Sequence, residues 1–230
     1  MNPLSGILNE AWQMYRAHAR HLIVIALVIY IAAAILVAVL TLAGFLGELL
    51  GTVIELMAGF LVQAALVKAV QDVRDGRADL SPGDTVSAAL PTIWPVAGAS
   101  ILAAIAIAIG FVLIIVPGLI LITIWALIVP VIVIERSGAL ASFGRSQSIV
   151  RGHGWHVFGT LVLLWIVEIL ANLLLGLILS FLPTALSSSL SAVISGALIA
   201  PFIALVVTMI YYRLTGQDPE SPAMPGGYAA

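Results

Sequence analysis

The chain has 230 residues, of which 62% are apolar and 9% are charged, and its net charge is -2. Soluble domains are about half apolar and a quarter charged, so this composition excludes an ordinary soluble protein and predicts a lipid environment. The few basic residues exclude the basic patch that nucleic acids require, and the lack of cysteine excludes disulfides, thiol chemistry and cysteine-linked lipid.

Residues 3–16 have the pattern of an amphipathic helix at a membrane surface. Asn2 can cap this helix, and Pro3 suits its first turn. One face carries the apolar side chains Leu4, Ile7, Leu8, Ala11, Met14 and Tyr15. The opposite face carries Asn9, Glu10, Gln13 and Arg16, with Trp12 at the boundary. We predict that the helix lies half-sunk among lipid headgroups; a solvent-facing lead-in helix is the alternative.

Six apolar stretches follow, each close to the ~20 residues that a helix needs to cross the hydrocarbon core. They are residues 22–43, 52–73, 94–114, 117–134, 156–180 and 189–212. The first is longer than the core of a cleavable signal, so we expect it to be retained. The segment from Gly110 to Pro117-Gly118 predicts a tight turn between the third and fourth stretches. The segment Gly44 to Gly51 contains no proline, so one longer, bent helix is an alternative to two spans there.

The prediction is therefore an all-α, six-span integral membrane protein with three interfacial helices on its cytoplasmic side. Residues 1–214 form one transmembrane domain, and residues 215–230 form a flexible cytoplasmic tail rich in Pro, Gly and small residues. A pseudo-threefold helix-hairpin repeat divides the domain into units of about 5–76, 81–137 and 138–214. The first and third units share an entry pattern, RAHARH at 16–21 and RGHGWH at 151–156, which the middle unit lacks.

All nine basic residues fall on one side of this six-span arrangement. They are Arg16, Arg20, Lys68, Arg74, Arg77, Arg136, Arg145, Arg151 and Arg213. Short loops that carry Lys and Arg stay in the cytoplasm. We therefore predict a multi-pass protein of the cytoplasmic membrane with both termini in the cytoplasm.

The longest polar interruption, Glu135 to His156, is predicted to be an amphipathic elbow on the bilayer surface between the fourth and fifth spans. Leu140, Phe143 and Val150 share the face that would meet the membrane. Long basic side chains extend toward headgroups, where each adds binding energy to anionic lipid. The residues expected to contact headgroups are Arg16, Arg20, Arg136, Arg145, Arg151 and Trp155.

Glu168 is the sharpest single candidate for a functional residue, because it lies near the middle of the fifth span. An ionisable group there costs at least about 2.5 kcal/mol to insert. Asn172 and Gly176 follow at one-turn intervals, so the three residues share a face that we expect to point into the bundle. A structural hydrogen bond and a transport or proton role are the two interpretations.

Other polar groups carry weaker signals. Glu48 and Glu55 share a helical face with glycines, which indicates close helix packing or a cation site near the outer surface. The pairs His18–His21 and His153–His156 have a spacing that a metal ion can use, but no cysteine or intervening carboxylate accompanies them. We expect these histidines to anchor the interface, with no bound metal or cofactor. Zinc-protease, serine-elbow and phosphate-loop motifs are absent, so we expect no enzyme activity.

One set of residues has the spacing of a known membrane domain. The set is Ile7-Leu8, Ala11-Trp12, Tyr15, Val116-Pro117-Gly118, Trp125, Pro130, Glu135, Ala139-Leu140, Arg145-Ser146, Val150-Arg151-Gly152, Trp155, Gly159 and Tyr211-Tyr212-Arg213. This pattern resembles the membrane domain that precedes the catalytic barrel in some bacterial glycerophosphoryl diester phosphodiesterases, and its stand-alone relatives. The hydrolase activity of that family belongs to the separate barrel. No barrel fits after residue 213, and Arg151-Gly152-His153 reverses the His-Arg-Gly order of the catalytic start, so the resemblance implies no hydrolase activity here.

The expected function is a non-enzymatic membrane module that organises or regulates a membrane partner, forms a homo-oligomer, or interacts with anionic lipid of the bilayer. The alternative is a transporter of a small molecule or lipid, with a polar site around Glu168 and Asn172.

Overall fold

The computed structural model describes residues 4–74, 80–181 and 184–217, and these ranges fold into helices without a strand. The helices are α1 (Ile7–Thr41), α2 (Phe45–Arg74), α3 (Pro82–Ala89), α4 (Ile93–Leu113), α5 (Ile115–Ile124), α6 (Ile128–Glu135), α7 (Ala139–Val150), α8 (Gly154–Ile178) and α9 (Thr184–Thr215). A 3-10 turn, Leu90–Thr92, links α3 to α4. Arg77 and tail residues 218–230, which the sequence analysis assigned to the cytoplasm, lie outside the described residues.

Six helical segments are long and apolar enough to cross a membrane. They are Ile7–Thr41, Phe45–Arg74, Pro82–Leu113, Ile115–Glu135, Gly154–Ile178 and Val193–Thr215. Each overlaps one of the six predicted stretches, so the predicted number of spans is confirmed. The chain is a multi-pass helical membrane protein. The threefold repeat and the placement of three helices on the cytoplasmic side stay predictions.

The predicted surface helix and the first span are two parts of one helix, α1, which bends at His18 (φ -120, ψ 16). The apolar face of the first part is turned toward protein: Leu4, Ile7 and Ala11 are 5%, 2% and 0% exposed. Trp12 is half exposed at the edge of this face. These three side chains therefore lie in the protein core. The prediction that they lie among lipid headgroups is wrong.

A short turn at residues 42–44 separates α1 from α2, so the alternative of one longer, bent helix is wrong. Gly44 has φ 71, a backbone conformation that favours glycine. Just after the turn, the backbone of Gly47 packs so closely on the Leu40 carbonyl that a side chain has no room, and Gly51 packs on Val37. The glycines near Glu48 thus serve the close packing of α1 and α2.

The tight turn predicted near Gly110–Gly118 is confirmed. Helix α4 ends at Leu113, Ile114 is extended (φ -159, ψ 143), and α5 begins at the next residue. A Cβ atom on Gly110 would lie 3.0 Å from the Gly118 nitrogen, so the two helices touch backbone to backbone. The two glycines let the chain reverse within one residue.

The fourth span is broken into α5 and α6 by a turn at residues 125–127. Pro130 lies in the first turn of α6. Proline has no N–H to donate to the carbonyl four residues earlier, and its ring clashes with that carbonyl. A continuous helix is therefore disfavoured at Ala126, and α6 begins two residues before Pro130.

The core centres on the C-terminal half of α9. Its buried side chains are Leu205, Val206, Met209, Ile210 and Tyr211, each 0% exposed. Helices α1, α2, α6, α7 and α8 all contact α9. By contrast, α8 is peripheral: its buried residues, Val157, Thr160, Leu161 and Leu164, all lie in its first half.

Helix α7 packs on the break in the fourth span. Ser142 and Ser146 are fully buried, Val150 is 2% exposed, and the Phe143 ring meets the Trp125 ring edge-on at 4.8 Å. The prediction that Val150 faces the membrane is wrong, because Val150 continues the buried face that begins with these serines. Leu140, at 77% exposure, does point away from the protein.

Candidate functional site

Glu135 joins three helices at one end of the bundle. The Arg145 Nε atom donates to both carboxylate oxygens of Glu135, at 2.9 and 3.0 Å. The Tyr211 hydroxyl donates to Oε1 of the same carboxylate at 2.8 Å. Glu135 ends α6, Arg145 lies on α7 and Tyr211 on α9, so one carboxylate fixes the relative positions of these helices.

A second polar contact joins the first turn of α1 to the last turn of α9. Arg213 Nη2 donates to Oε2 of Glu10 in an ion pair, and Arg213 Nη1 donates to the Ser5 carbonyl at 2.9 Å. One residue earlier, the Tyr212 ring lies 4.6 Å below the Arg74 guanidinium at the end of α2. Cations bind the faces of aromatic rings, so this contact ties α2 to α9.

These contacts gather both chain ends of the membrane domain and three of the basic residues, Arg74, Arg145 and Arg213, at the same end of the bundle. We call this the basic end. The half-buried Arg74 and Arg213 and the exposed Arg145 therefore have structural partners here. Arg145, predicted to bind headgroups, forms an ion pair with Glu135 through its guanidinium, while 45% of its side-chain surface is exposed.

Ser146 stabilises the break in the fourth span. Its hydroxyl donates to the Ile124 carbonyl at 2.8 Å and accepts from the Leu127 N–H at 3.2 Å. The Ile128 N–H bonds to Trp125, so it is not available to the Ile124 carbonyl as it would be in a continuous helix. The serine thus supplies one donor and one acceptor where the broken helix lacks both.

A groove of about 730 Å³ opens beside Arg151, between the end of α7, the start of α8 and the end of α5. Its lining includes the polar side chains Gln147, Ser148 and Arg151 and the backbone of Gly152 and Gly154. Gly152 has φ 87, which requires the glycine, and a Cβ on either glycine would meet open space. The groove therefore combines an exposed guanidinium with accessible backbone at a helix start.

The remaining predicted interface residues point outward. Arg16, Arg20, Arg136 and Arg151 are exposed, and none of them pairs with a carboxylate in the part of the chain that the structure describes. Arg136 follows α6 in a left-handed conformation, φ 53. Trp155, 85% exposed, meets Phe158 edge-on at 6.1 Å. These side chains are free to meet lipid or a partner.

Glu168 and Asn172 are next to each other on α8, but their side chains do not bond to one another. Asn172 Nδ2 donates to the Glu168 backbone carbonyl at 2.9 Å, which leaves the Glu168 carboxylate without a hydrogen bond or ion pair to any described residue. Glu168 is half-buried, whereas Asn172 and Gly176 are exposed, so the prediction that this face points into the bundle is wrong. The structural hydrogen bond expected for Glu168 is therefore not made by its own side chain within the described chain.

The other sequence candidates are not brought together. Glu48 and Glu55 are exposed on α2. Among the described residues, no group of three or more His, Asp or Glu side chains has metal-binding geometry. His18 Nδ1 lies 3.3 Å from the Met14 carbonyl at the bend of α1, while His21 Nε2 and His153 Nδ1 are buried without a described partner.

Sequence reasoning missed the two bonds of Ser146 and the contacts of Glu10 and Tyr211. One signal was available: Ser142 and Ser146, one turn apart, are polar residues on the face of α7 that also carries Val150. Such a pattern indicates buried polar bonding, because hydroxyl groups that face a core need partners.

Comparison of the chain with models of known protein families, with curated proteins and with solved structures found no match.

Proposed function

We propose that this chain is a non-enzymatic integral membrane module that binds the anionic headgroup of a lipid in the groove beside Arg151. The observation that carries the proposal is the exposed Arg151 guanidinium, which faces a groove large enough for a headgroup and has no carboxylate partner in the described chain. An arginine that is already paired, such as Arg145, has less to offer an anion.

The groove offers the groups that bind phosphate. A guanidinium presents a planar set of donors that matches two phosphate oxygens. The start of α8 lies beside it, and the first N–H groups of a helix point outward and favour negative charge. Gly152 and Gly154 carry no side chain that would keep a phosphate away from these N–H groups.

The same proposal includes the cytoplasmic orientation, the resemblance to the membrane domain of glycerophosphoryl diester phosphodiesterases, and a role in organising a membrane partner. The cytoplasmic leaflet carries the anionic lipids that attract basic residues. Arg151 and Gly152 line the groove, Trp155 directly follows its lining residue Gly154, and Arg151, Gly152 and Trp155 are among the residues on which the resemblance depends. Trp is enriched at membrane interfaces, which supports a lipid role for this region.

The test is lipid retention by the purified protein. Native mass spectrometry of protein released from nanodiscs of mixed phosphatidylglycerol and phosphatidylcholine should show bound phosphatidylglycerol. Arg151→Gln should lower this retention about fivefold, since one basic residue at an anionic surface contributes about 1 kcal/mol.

Arg16→Gln is the matched control, because Arg16 is also exposed but lies on α1 and does not line the groove. It should leave most of the retained lipid in place. Equal losses in both variants would indicate unspecific attraction, and unchanged retention in Arg151→Gln would reject the headgroup site.

Transport around Glu168 is the second candidate, favoured by the carboxylate that has no described partner. Glu168 and Asn172 do not line the Arg151 groove, so the two proposals concern different parts of α8. Flux of a candidate solute into proteoliposomes, abolished by Glu168→Gln but not by Arg151→Gln, would support transport.

A further inference from the structure

The second half of α8 is the least enclosed part of the membrane domain. From Trp165 to Ile178 no residue is buried. Ile169, Leu170 and Leu173 are 66%, 58% and 59% exposed, values that suit side chains in contact with lipid or with another protein. This surface is therefore available to a partner within the bilayer.

Polar groups sit on this open half-helix. Glu168 lies 14 residues from the start of α8 and 10 from its end, or roughly 21 and 15 Å at 1.5 Å per residue, so it is far from both helix ends. Side chains that face lipid without a hydrogen-bond partner are costly, and amide and carboxyl groups between spans are a known cause of helix association. The Glu168 carboxylate lacks such a partner in the described chain, and the exposed Asn172 amide donates one of its two N–H groups to the Glu168 backbone carbonyl.

One face of α8 combines these polar groups with a place for close contact. Glu168, Asn172 and Gly176 are spaced four residues apart, as are Trp165 and Ile169, so these residues form two adjacent rows along one side of the helix. A Cβ on Gly176 would meet open space, so a neighbouring helix can approach its backbone. We call this side the α8 polar face.

We infer that the α8 polar face is the contact between two copies of this chain, in which Asn172 of each copy donates to the Glu168 carboxyl of the other. One N–H of the Asn172 amide donates to the Glu168 backbone carbonyl of its own helix, and the second N–H remains available as a donor. Glu168 has acceptor oxygens that are not used by any described residue. The pair is therefore self-complementary, as a twofold interface requires.

The bilayer favours a second copy as the occupant. Copies that insert in the same orientation hold α8 at the same depth and in the same direction, so a twofold axis along the membrane normal brings the same polar residues together. A different protein would need a matching donor and acceptor at that depth. This inference does not depend on the headgroup site, because the groove at Arg151 lies at the other end of α8.

The chain contains no cysteine, so single-cysteine crosslinking in native membranes has no background from the protein itself. Ile169→Cys places a thiol on the α8 polar face. Leu170→Cys is its matched control, because it is the next residue, is similarly exposed and points about 100° further around the helix. Iodine oxidation should give at least about fivefold more disulfide-linked dimer at position 169 than at position 170.

The polar pair is then tested in the Ile169→Cys background. Replacing Glu168 and Asn172 by Leu should lower the dimer yield about fivefold, the effect expected for polar contacts between spans. Leucine is apolar and favours helix, so these variants still insert and fold, which thermal unfolding in detergent verifies. Glu168→Gln keeps an acceptor oxygen and should retain the dimer.

Equal crosslinking at positions 169 and 170 would mean random collision and would overturn the inference. So would an unchanged dimer yield in the double leucine variant, or a crosslink from position 169 to a different protein in place of a second copy.

Discussion

Ser146 provides hydrogen bonds where the fourth span lacks them. A polar group in a bilayer that finds no partner costs several kcal/mol, so a broken span needs a donor and an acceptor from elsewhere in the protein. The serine hydroxyl meets both needs at once, with Ile124 and Leu127. Tyr211 acts in the same way on Glu135. Single hydroxyl groups thus connect α7 to the break in the fourth span and α9 to the end of α6.

Ser146→Ala should destabilise the protein by about 1–3 kcal/mol, because it leaves a buried carbonyl and a buried N–H without their partner. Ser148→Ala is the control: Ser148 is exposed on the same helix and bonds only to the Arg145 carbonyl at 2.7 Å. Its loss should cost less than about 0.5 kcal/mol. Thermal unfolding in the same detergent compares the two variants. Equal stability of Ser146→Ala and the unmodified chain would show that the break does not need the Ser146 hydroxyl.

At the scale of the elements, the sequence predicted the spans well because hydropathy over a ~20-residue window directly reflects the length of hydrocarbon to be crossed. The break between α5 and α6 was not predicted, since prolines within spans are tolerated when neighbouring helices satisfy the freed groups. In this protein the groups freed by the break bond to Ser146, a residue 16 positions after Pro130 in the chain. The burial of Ile7 and Ala11 was missed for a similar reason: an apolar helix face looks alike whether lipid or protein covers it.

Gly196 sets the distance between α1 and α9. A Cβ at this position would lie 2.7 Å from the Tyr30 ring, whereas a Cβ on Gly159 of α8 would meet open space. Gly196→Ala should therefore cost about 1–3 kcal/mol through overpacking. Gly159→Ala should be neutral or stabilise the helix by up to about 1 kcal/mol, because alanine favours helix more than glycine does. Unfolding of the two variants in the same detergent tests the contact; similar stabilities would mean that the Tyr30 ring moves aside freely.

At the scale of the whole molecule, the contacts of the basic end reflect the even number of spans. The ion pair of Glu10 with Arg213 joins the first turn of α1 to the last turn of α9, so both ends of the membrane domain meet on one side of the bundle. The sequence predicted Glu168 and Arg151 as candidates from depth and charge alone. It did not predict that Tyr211 bonds to Glu135 or that Arg213 pairs with Glu10, because these residues lie 76 and 203 positions apart, and one sequence carries no signal for contacts over such separations.

The proposal that the basic end faces the cytoplasm rests on the excess of Lys and Arg in cytoplasmic loops, and it is tested with two single cysteines in this cysteine-free chain. Ala43→Cys lies in the exposed turn between α1 and α2, and Gln217→Cys follows α9 beyond the basic end. A membrane-impermeant maleimide should label position 43 in intact cells and position 217 only after permeabilisation. Labelling of position 217 in intact cells would reverse the orientation, and with it the proposed contact between Arg151 and the anionic lipid of the cytoplasmic leaflet. Labelling of both positions from outside would instead contradict the five spans between them, because an odd number of crossings places the two positions on opposite sides of the membrane.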